Sequence, residues 1–173
     1  MRLFIAIELP DDVKEKIYES SLLLKRNCLR GSYSSKDNYH ITLAFLGEVD
    51  PGRVAEIRKI MDGIDFPSCD FTVGKLSCFK RDGGDIYFRS VFVPKSIVKV
   101  YYELNERLRD AGFSVDAKKF RAHITLARQA VLAADAGNIS SVMPDLHCHA
   151  DGISLMLSER KEGKLTYTCL YKK

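Results

Sequence analysis

The sequence predicts a compact mixed fold of α-helices and antiparallel β-strands, organised around an internal duplication. The word His-Ile-Thr-Leu-Ala occurs at residues 40–44 and again at residues 123–127, once in each half of a chain of 173 residues. Apolar residues spaced three and four apart predict helices, and β-rich runs around Gly-rich turns predict hairpins. Because the repeated word is identical, we expect its two copies to face a common centre.

The first half is predicted to alternate between strands and helices. Pro10 closes the opening apolar run, and Asp11 or Asp12 can cap the helix that follows. Asp50 and Pro51 are a cap and a residue favoured at the first helical position, so a second helix begins there. The predicted elements are a strand over residues 2–8, a helix ending near Leu29, a loop over residues 31–38, a strand over residues 39–46 and a helix of about three turns.

The second half is predicted to be richer in hairpins. Lys-Arg-Asp-Gly-Gly at residues 80–84 is a strong turn signal between two β-rich runs. Pro94 begins a helix with one apolar stripe, and Gly112 is placed as its C-terminal cap. The predicted elements are strands over residues 69–79 and 85–93, this helix, a strand of the second repeat ending at Arg128, a weakly helical segment over 130–143, and a hairpin of residues 153–158 and 165–171.

Side-chain alternation divides each copy of the repeat into two faces. Successive side chains of a strand point to opposite sides, so His40 shares a face with Thr42, and His123 shares a face with Thr125. The Ile and Leu of each copy point to the other side and are predicted to enter the core, together with Phe45. A core explains the recurrence of the apolar residues but not that of His and Thr. The recurrence therefore favours a functional site, although a single His on a strand is more often a structural or surface residue.

Paired imidazoles can move two protons near neutral pH. One can take a proton from a nucleophile while the other gives a proton to a leaving group. Threonine hydroxyls beside them can donate hydrogen bonds to a phosphoryl oxygen as negative charge develops there. In-line displacement at a phosphodiester needs the attacking and leaving oxygens on opposite sides, one under each His. The sequence thus predicts catalysis by His40 and His123, phosphate binding by Thr42 and Thr125, and no metal or other cofactor.

Residues that flank the repeats are candidates for substrate contacts. By strand parity Arg121 lies on the His face and is a candidate phosphate ligand, although a solvated charge at a strand end is an equally good interpretation. Parity places Arg128 on the other face if the strand stays regular. Tyr39 and Phe120 lie at the strand entrances and could stack on a base, although Phe120 also fits a core position.

His147 and His149 flank Cys148 and share one face of a possible strand. Such a pair could be half of a metal site. A closed site has three or four ligands, and no residue nearby in the sequence completes one. We interpret the two histidines as a surface pair.

The composition is typical of a soluble globular protein. No segment approaches the roughly 20 apolar residues of a membrane helix, and residues 1–7 are too few for a signal peptide. We expect a cytoplasmic monomer. Five cysteines without a Cys-x-x-Cys motif predict free, buried thiols. The net charge of +4, with a pI near 8.7, is only a mild bias towards a polyanionic partner.

The sequence resembles the two-histidine phosphoesterases along its whole length. The resemblance is carried by Met-Arg-Leu-Phe-Ile-Ala-Ile-Glu-Leu-Pro at residues 1–10, by the two repeats extended to residues 40–47 and 120–128, and by Ser-Glu-Arg at residues 158–160. Within this family it is most similar to the bacterial and archaeal RNA 2',3'-cyclic phosphodiesterases, also called 2'-5' RNA ligases. The paired His-x-Thr motifs at this separation are specific, whereas a single motif would not be.

This resemblance implies a bilobal α+β fold, a single domain over residues 1–173 whose two lobes are related by a pseudo-twofold axis. Each lobe would carry an antiparallel sheet with helices on its outer face, and both motifs would line the cleft between the lobes. The implied activity is metal-independent hydrolysis of 2',3'-cyclic phosphates at RNA ends to 2'-phosphates, with 2'-5' ligation as the reverse chemistry. The implied partners are therefore RNA ends or cyclic nucleotides.

The resemblance also implies roles for individual residues. His123 would be the base that activates water, and His40 the acid that protonates the leaving 3'-oxygen. Thr42 and Thr125 would bind the phosphate. Arg128 matches an Arg that is common after the second motif, which makes it a candidate phosphate ligand in spite of its parity.

One segment departs from the family pattern. Members often carry a Trp or other aromatic residue in a Pro-containing segment before the first motif, whereas residues 31–38 contain neither Pro nor Trp. Tyr33 could substitute as a base contact. Two other functions stay open at this point: a phosphodiesterase for another small cyclic nucleotide or a 2'-5' oligonucleotide, and a non-catalytic RNA-binding module.

Overall fold

The computed structural model describes residues 1–115, 119–133 and 139–173, which form two antiparallel sheets and three α-helices. The strands are β1 (Arg2–Glu8), β2 (Cys28–Tyr33), β3 (His40–Glu48), β4 (Cys69–Phe79), β5 (Asp85–Phe92), β6 (His123–Leu132), β7 (Leu146–Ala150), β8 (Ser154–Lys161) and β9 (Lys164–Lys172). The helices are α1 (Asp11–Arg26), α2 (Val54–Asp62) and α3 (Lys95–Asp110), and short 3-10 turns span Lys36–Asn38, Pro51–Arg53 and Ile139–Val142.

The two copies of the repeat lie in different sheets. The four-stranded sheet has the order β3-β1-β8-β9, and the five-stranded sheet has the order β2-β6-β5-β4-β7. Strands β3 and β6, which carry the two copies, contact each other where the sheets meet. The duplicated word therefore becomes a pair of strands at the junction of two lobes, and the predicted α+β fold with two antiparallel sheets is confirmed.

Each of the two long helices, α1 and α3, packs against one sheet, while the strand that precedes the helix belongs to the other sheet. Helix α1 follows β1 but packs against the five-stranded sheet, where the buried Arg89 of β5 donates from Nη1 to Ser20 Oγ at 2.7 Å. Helix α3 follows β5 but packs against β3, and Asn105 Nδ2 donates to the Leu43 carbonyl at 2.9 Å. The chain thus crosses between the lobes instead of completing one before the other.

The apolar faces of both sheets join one hydrophobic core. Ile41 and Leu43 from the first repeat and Ile124 and Leu126 from the second are 0 to 1% exposed. Burial of each such side chain stabilises the fold by about 1.5–3 kcal/mol. The apolar half of each repeat therefore holds its strand in place, as its side-chain alternation predicts.

The predicted elements are largely confirmed, with three differences. Helix α1 ends at Arg26, and residues Cys28–Tyr33 form the edge strand β2 instead of the end of a helix and the start of a loop. The sequence of β2 contains Gly and Ser and its side chains are mostly exposed, so it lacks the usual pattern of a strand. It forms a strand because it pairs with β6. In the segment predicted as weakly helical, residues 130–132 extend β6, Ile139–Val142 is a 3-10 turn, and residues 134–138 lie outside the described residues.

The cysteines and the helices bear on two further predictions. All five thiols are free, as predicted, but Cys148 is buried and Cys169 is exposed, so burial is not general. Across residues 1–115, 119–133 and 139–173, no helix has the length and apolar character required to span a membrane.

Candidate active site

His40 is the first residue of β3 and is held from both sides of its ring. Its Nδ1 lies 2.7 Å from the Asn38 carbonyl, and its Nε2 lies 2.9 Å from Thr42 Oγ1. A carbonyl can only accept, so Nδ1 carries the proton and donates it, which leaves the lone pair of the neutral ring on Nε2. The hydroxyl group of Thr42 then donates a hydrogen bond to Nε2 of His40.

His123 repeats this arrangement at the first residue of β6. Its Nδ1 donates to the carbonyl of Arg121, two residues earlier, at 2.7 Å. The same backbone geometry therefore fixes the same tautomer in both histidines, with Nε2 as the reactive nitrogen. Thr125 lies on the same face two residues on, opposite Phe88 in the ladder, and its hydroxyl makes no hydrogen bond within the described part of the chain.

Aromatic side chains flank each imidazole. The ring centroids of Phe4 and Tyr167 lie 4.8 and 5.3 Å from that of His40. Those of Phe79 and Phe88 lie 5.3 and 5.2 Å from that of His123. These contacts fix the ring orientations and remove water from the imidazoles, so the two halves of the site resemble each other beyond the repeated word.

Burial makes both imidazoles weak bases. It lowers the pKa of His40 from 6.5 to about 4; positive charge on His123 and Arg128 acts in the same direction, and the hydrogen bond to the Asn38 carbonyl opposes it. The pKa of His123 is also lowered, first by burial and further by the charge of Arg128. Both rings are therefore neutral at pH 7 before an anion binds.

Arg128 lies on the face of the histidines, because β6 is not regular. In the ladder with β5, Tyr87 pairs with Ala127 and Phe88 with Thr125, so Leu126 is an extra residue that forms a β-bulge. The bulge reverses the parity of the residues after it. Alternation placed Arg128 on the opposite face only for a regular strand, and the bulge removes that condition. The charge of Arg128 acts on both His40 and His123.

The same bulge occurs in the first repeat. Ile5 pairs with Ala44 and Ala6 with Thr42, which leaves Leu43 as the extra residue. Phe45, at the position in its repeat that Arg128 has in the other, is consequently 45% exposed, and the prediction of a core position for it is wrong. The Arg2 guanidinium lies 5.1 Å from the centre of its ring. An exposed aromatic ring thus lies on the site face five residues after His40.

The other predicted contacts differ in how well they are placed. Arg121 is exposed, with its guanidinium carbon 6.0 Å from the ring centre of Phe79. Tyr39 is only 2% exposed, so it cannot present its ring to a base, and that prediction is wrong. Phe120 stacks on Tyr101 with ring centroids 4.2 Å apart, in agreement with its alternative core role. Tyr33 is half-buried on β2, opposite Ala127.

The sequence argument missed Phe45, Phe4 and Tyr167 as residues of the site. Phe45 could have been found by aligning the two repeats, because it matches Arg128. Phe4 and Tyr167 reach His40 from strands far away in the sequence, and no local pattern indicates that contact.

His147 and His149 lie together on β7 and each has a hydrogen-bond partner on a neighbouring strand or loop. His149 bonds to Asp70 at 2.7 Å and to Ser68 at 2.8 Å, and His147 lies 3.4 Å from Thr72 Oγ1. Within the described ranges, no group of three or more His, Cys, Asp or Glu side chains is arranged to hold a metal ion.

The arrangement can perform acid–base chemistry on an anion. Two reactive Nε2 atoms, two threonine hydroxyls and the Arg128 guanidinium belong to one pair of facing strands. A bound anion would raise the pKa of both imidazoles, because negative charge stabilises an imidazolium. One ring could then be protonated while the other stays neutral, as concerted proton transfer requires.

Comparison with known proteins identifies the family to which this chain belongs. Residues 7–87 match the family model described as LigT like Phosphoesterase. The RNA 2',3'-cyclic phosphodiesterase of Thermotoga maritima is 36% identical over 134 residues, 74% of this chain and 70% of that protein. The protein of the same name from Methanocaldococcus jannaschii is 28% identical over 74% of this chain and 71% of its own. The crystal structure of E. coli LigT complexed with 3'-AMP shares the fold, with a TM-score of 0.81 at 24% identity over 99% of this chain and 96% of that one.

Proposed function

We propose that this chain, which belongs to the LigT-like phosphoesterase family, hydrolyses 2',3'-cyclic phosphates at RNA ends and leaves 2'-phosphates. The relatives from T. maritima and M. jannaschii are named RNA 2',3'-cyclic phosphodiesterases. The observation that carries the proposal is the matched pair His40 and His123, each fixed by a carbonyl two residues earlier so that Nε2 is reactive.

In the proposed hydrolysis one histidine takes a proton from water and the other gives a proton to the leaving oxygen, so the reaction requires no metal ion. His123 Nε2 takes a proton from water as the water oxygen attacks phosphorus. The bond from phosphorus to the 3'-oxygen breaks, and protonated His40 gives its Nε2 proton to that oxygen. Thr42, Thr125 and Arg128 donate to the phosphoryl oxygens, where charge accumulates. The product is a 2'-phosphate beside a free 3'-hydroxyl.

The bound phosphate prepares His40 for this role. With a pKa of about 4, the ring is rarely protonated in the free protein at pH 7. The negative charge of the cyclic phosphate stabilises the imidazolium and raises that pKa when substrate binds. His40 therefore becomes the protonated general acid only when substrate is bound.

The same step supports ligation. If the 5'-hydroxyl of a second RNA strand replaces water, His123 takes its proton and a 2'-5' linkage forms as the bond to the 3'-oxygen breaks. Ligation requires only that a second strand enters the cleft, so it is a further part of this proposal.

The experiment is turnover of a 2',3'-cyclic mononucleotide in the presence of EDTA, followed by chromatography of the products. We expect the 2'-monophosphate alone. His40→Ala and His123→Ala should each lower kcat by about 10²–10⁴, the range for a lost acid or base. Turnover that requires added metal, or a 3'-monophosphate product, would contradict the mechanism.

His149→Ala is the matched control. His149 is another strand histidine with two hydrogen bonds, but its partners are Asp70 and Ser68 and not a residue of the repeats. Its replacement should leave turnover of the cyclic mononucleotide unchanged. An equal loss in all three variants would show that histidine loss disturbs the fold.

A further inference from the structure

The face of the five-stranded sheet that carries His123 continues past the site. His123 pairs with Ser90 on β5, and directly opposite residues of an antiparallel pair share a face. Two residues further along β5, Phe92 pairs with Thr72 of β4, and Thr72 pairs with His147 of β7. We call Phe92, Thr72 and His147 the Phe92 row. It lies on the catalytic face, one step along the strands from His123.

Phe92 is the most prominent side chain of this row. It is 66% exposed, more than the other exposed aromatic side chains of the described residues, Tyr18, Phe45 and Tyr102. Its ring lies over Gly74: a Cβ built on that glycine would meet Phe92 Cε2 at 2.5 Å. The ring is therefore supported from below by a backbone that lacks a side chain, while much of its surface remains open to solvent.

Phe92 is also close to the reacting groups. As the residue two positions beyond the partner of His123, it is a diagonal neighbour, with a spacing of about 7–8 Å that aromatic side chains bridge. The ladder continues on this side, because Val91 N donates to the Ala122 carbonyl at 3.0 Å. This continuation brings the backbone of Arg121 beside Phe92, whereas the Arg121 guanidinium lies 6.0 Å from the ring centre of Phe79, which pairs with Ile86 at the other end of the hairpin. An exposed aromatic surface thus lies next to the candidate active site.

These features match the chemistry of a single RNA strand. Bases stack on exposed aromatic rings without regard to sequence. Thr72 and His147, whose Oγ1 and Nδ1 lie 3.4 Å apart, add polar groups at the far end of the row.

We infer that the Phe92 row binds the nucleotide that precedes the terminal one in an RNA substrate, with its base on Phe92. This inference rests on the proposed function and deepens it, because it makes an RNA strand, and not a free cyclic mononucleotide, the preferred substrate. Because the Phe92 row continues the face that carries His123, the group bound there is the nucleotide next to the one in the candidate active site.

The test compares two substrates, a 2',3'-cyclic mononucleotide and a trinucleotide that ends in a 2',3'-cyclic phosphate. The wild-type protein should have the higher kcat/KM for the trinucleotide. Phe92→Ala should lower kcat/KM for the trinucleotide by about 5- to 100-fold, the range for loss of one base stack, and leave the mononucleotide unchanged. Phe92→Trp should preserve the preference, because its ring also stacks.

Tyr102→Ala provides the matched control. Tyr102 is an exposed aromatic residue, 49% accessible, on α3 and outside the Phe92 row. Its loss should affect neither substrate. Equal losses on both substrates in Phe92→Ala, or no loss on either, would overturn the inference while leaving the proposed hydrolysis intact.

A binding measurement separates this inference from the proposed function. A 5'-labelled trinucleotide with a 2'-phosphate end is titrated with protein and followed by fluorescence anisotropy. Phe92→Ala should raise its Kd by a similar factor of about 5–100. If neither cyclic substrate is turned over, the hydrolysis proposal fails, and an unchanged Kd in this assay would overturn the Phe92 row as well.

Discussion

Single residues set the protonation of this site, and Arg128 is the residue that acts on both halves. Its positive charge contributes to the lowered pKa of His40 and of His123. It also lies on the face where the phosphate is proposed to bind. Arg128 opposes protonation of the free imidazoles, and in the proposed mechanism it would also stabilise the anion whose negative charge favours protonation.

We expect the pH profile of kcat/KM to report the first effect. This parameter follows the ionisations of the free enzyme, and turnover needs one protonated and one neutral imidazole. Because both pKa values lie below 6.5, kcat/KM should fall as pH rises above that value. Arg128→Gln should lower the maximal kcat/KM by about 10²–10³-fold. It should also move the decline of kcat/KM to higher pH, because loss of the positive charge raises the pKa of both imidazoles. A variant with the wild-type maximal kcat/KM and the wild-type decline would contradict the placement of Arg128.

At the scale of elements, β9 positions His40 from another part of the chain. The side-chain amide of Asn38 donates to the Leu165 carbonyl of β9 at 2.8 Å. The backbone carbonyl of Asn38 accepts from His40 Nδ1 at 2.7 Å. Tyr167 of the same strand lies edge-on to the imidazole. Asn38 thus links the His40 ring to a strand more than a hundred residues away in the sequence.

Removal of this link should loosen His40 without removing any group that touches substrate. We predict that Asn38→Ala lowers kcat by about 10-fold with little change in KM, because the acid is misoriented and phosphate binding is retained. Steady-state kinetics with the cyclic mononucleotide measure both constants.

Asn27→Ala is the comparison for this prediction. Asn27 also bonds a carbonyl through its side chain, that of Leu23 at 2.9 Å, but at the end of α1. This variant should lose stability and keep kcat. Equal kinetic effects in the two variants would mean that Asn38 has only a structural role.

The elements also show what the sequence could predict. Periodicity, Pro10 and the Gly-rich turn identify β1, the start of α1 and the β4–β5 hairpin, because those signals are local. The prediction that Asp11 or Asp12 caps α1 is wrong: Pro10 is at the N-cap, and both carboxylates lie in the first turn of the helix. The bulges at Leu43 and Leu126 could not be predicted, since an extra residue in a ladder depends on the partner strand. Each bulge reverses the side-chain alternation after it. Alternation therefore placed His40 and Thr42 on one face correctly, misplaced Phe45, and gave the correct face for Arg128 only once the bulge is known. Edge strand β2 was missed for the same reason, because its pairing with β6 is non-local.

For the whole molecule, the buried neutral imidazole of His40 links stability to pH. The unfolded chain binds a proton on His40 near pH 6.5, whereas the folded chain does so near pH 4. Between these values the unfolded state binds more protons, so the free energy of unfolding rises with pH. The stability is fully present above pH 6.5 and is lost as pH falls towards 4.

We predict that His40→Gln reduces this pH dependence. The difference in unfolding free energy between pH 7 and pH 4 should be smaller in the variant by about 1–3 kcal/mol, from about 1.4 kcal/mol per pKa unit and some residual solvent contact of the ring. Urea unfolding at both pH values measures it. Identical differences in the two proteins would show that His40 does not titrate with a lowered pKa.

The position of β8 and β9 in the four-stranded sheet has a consequence for biosynthesis. Strand β1 lies between β3 and β8, and the Tyr167 ring and Leu165 carbonyl come from β9. Until residues 154–172 have been synthesised, β1 has one free edge and His40 lacks the contacts that come from β9. The surroundings of His40 are therefore completed only when the last strand of the sheet pairs with β8.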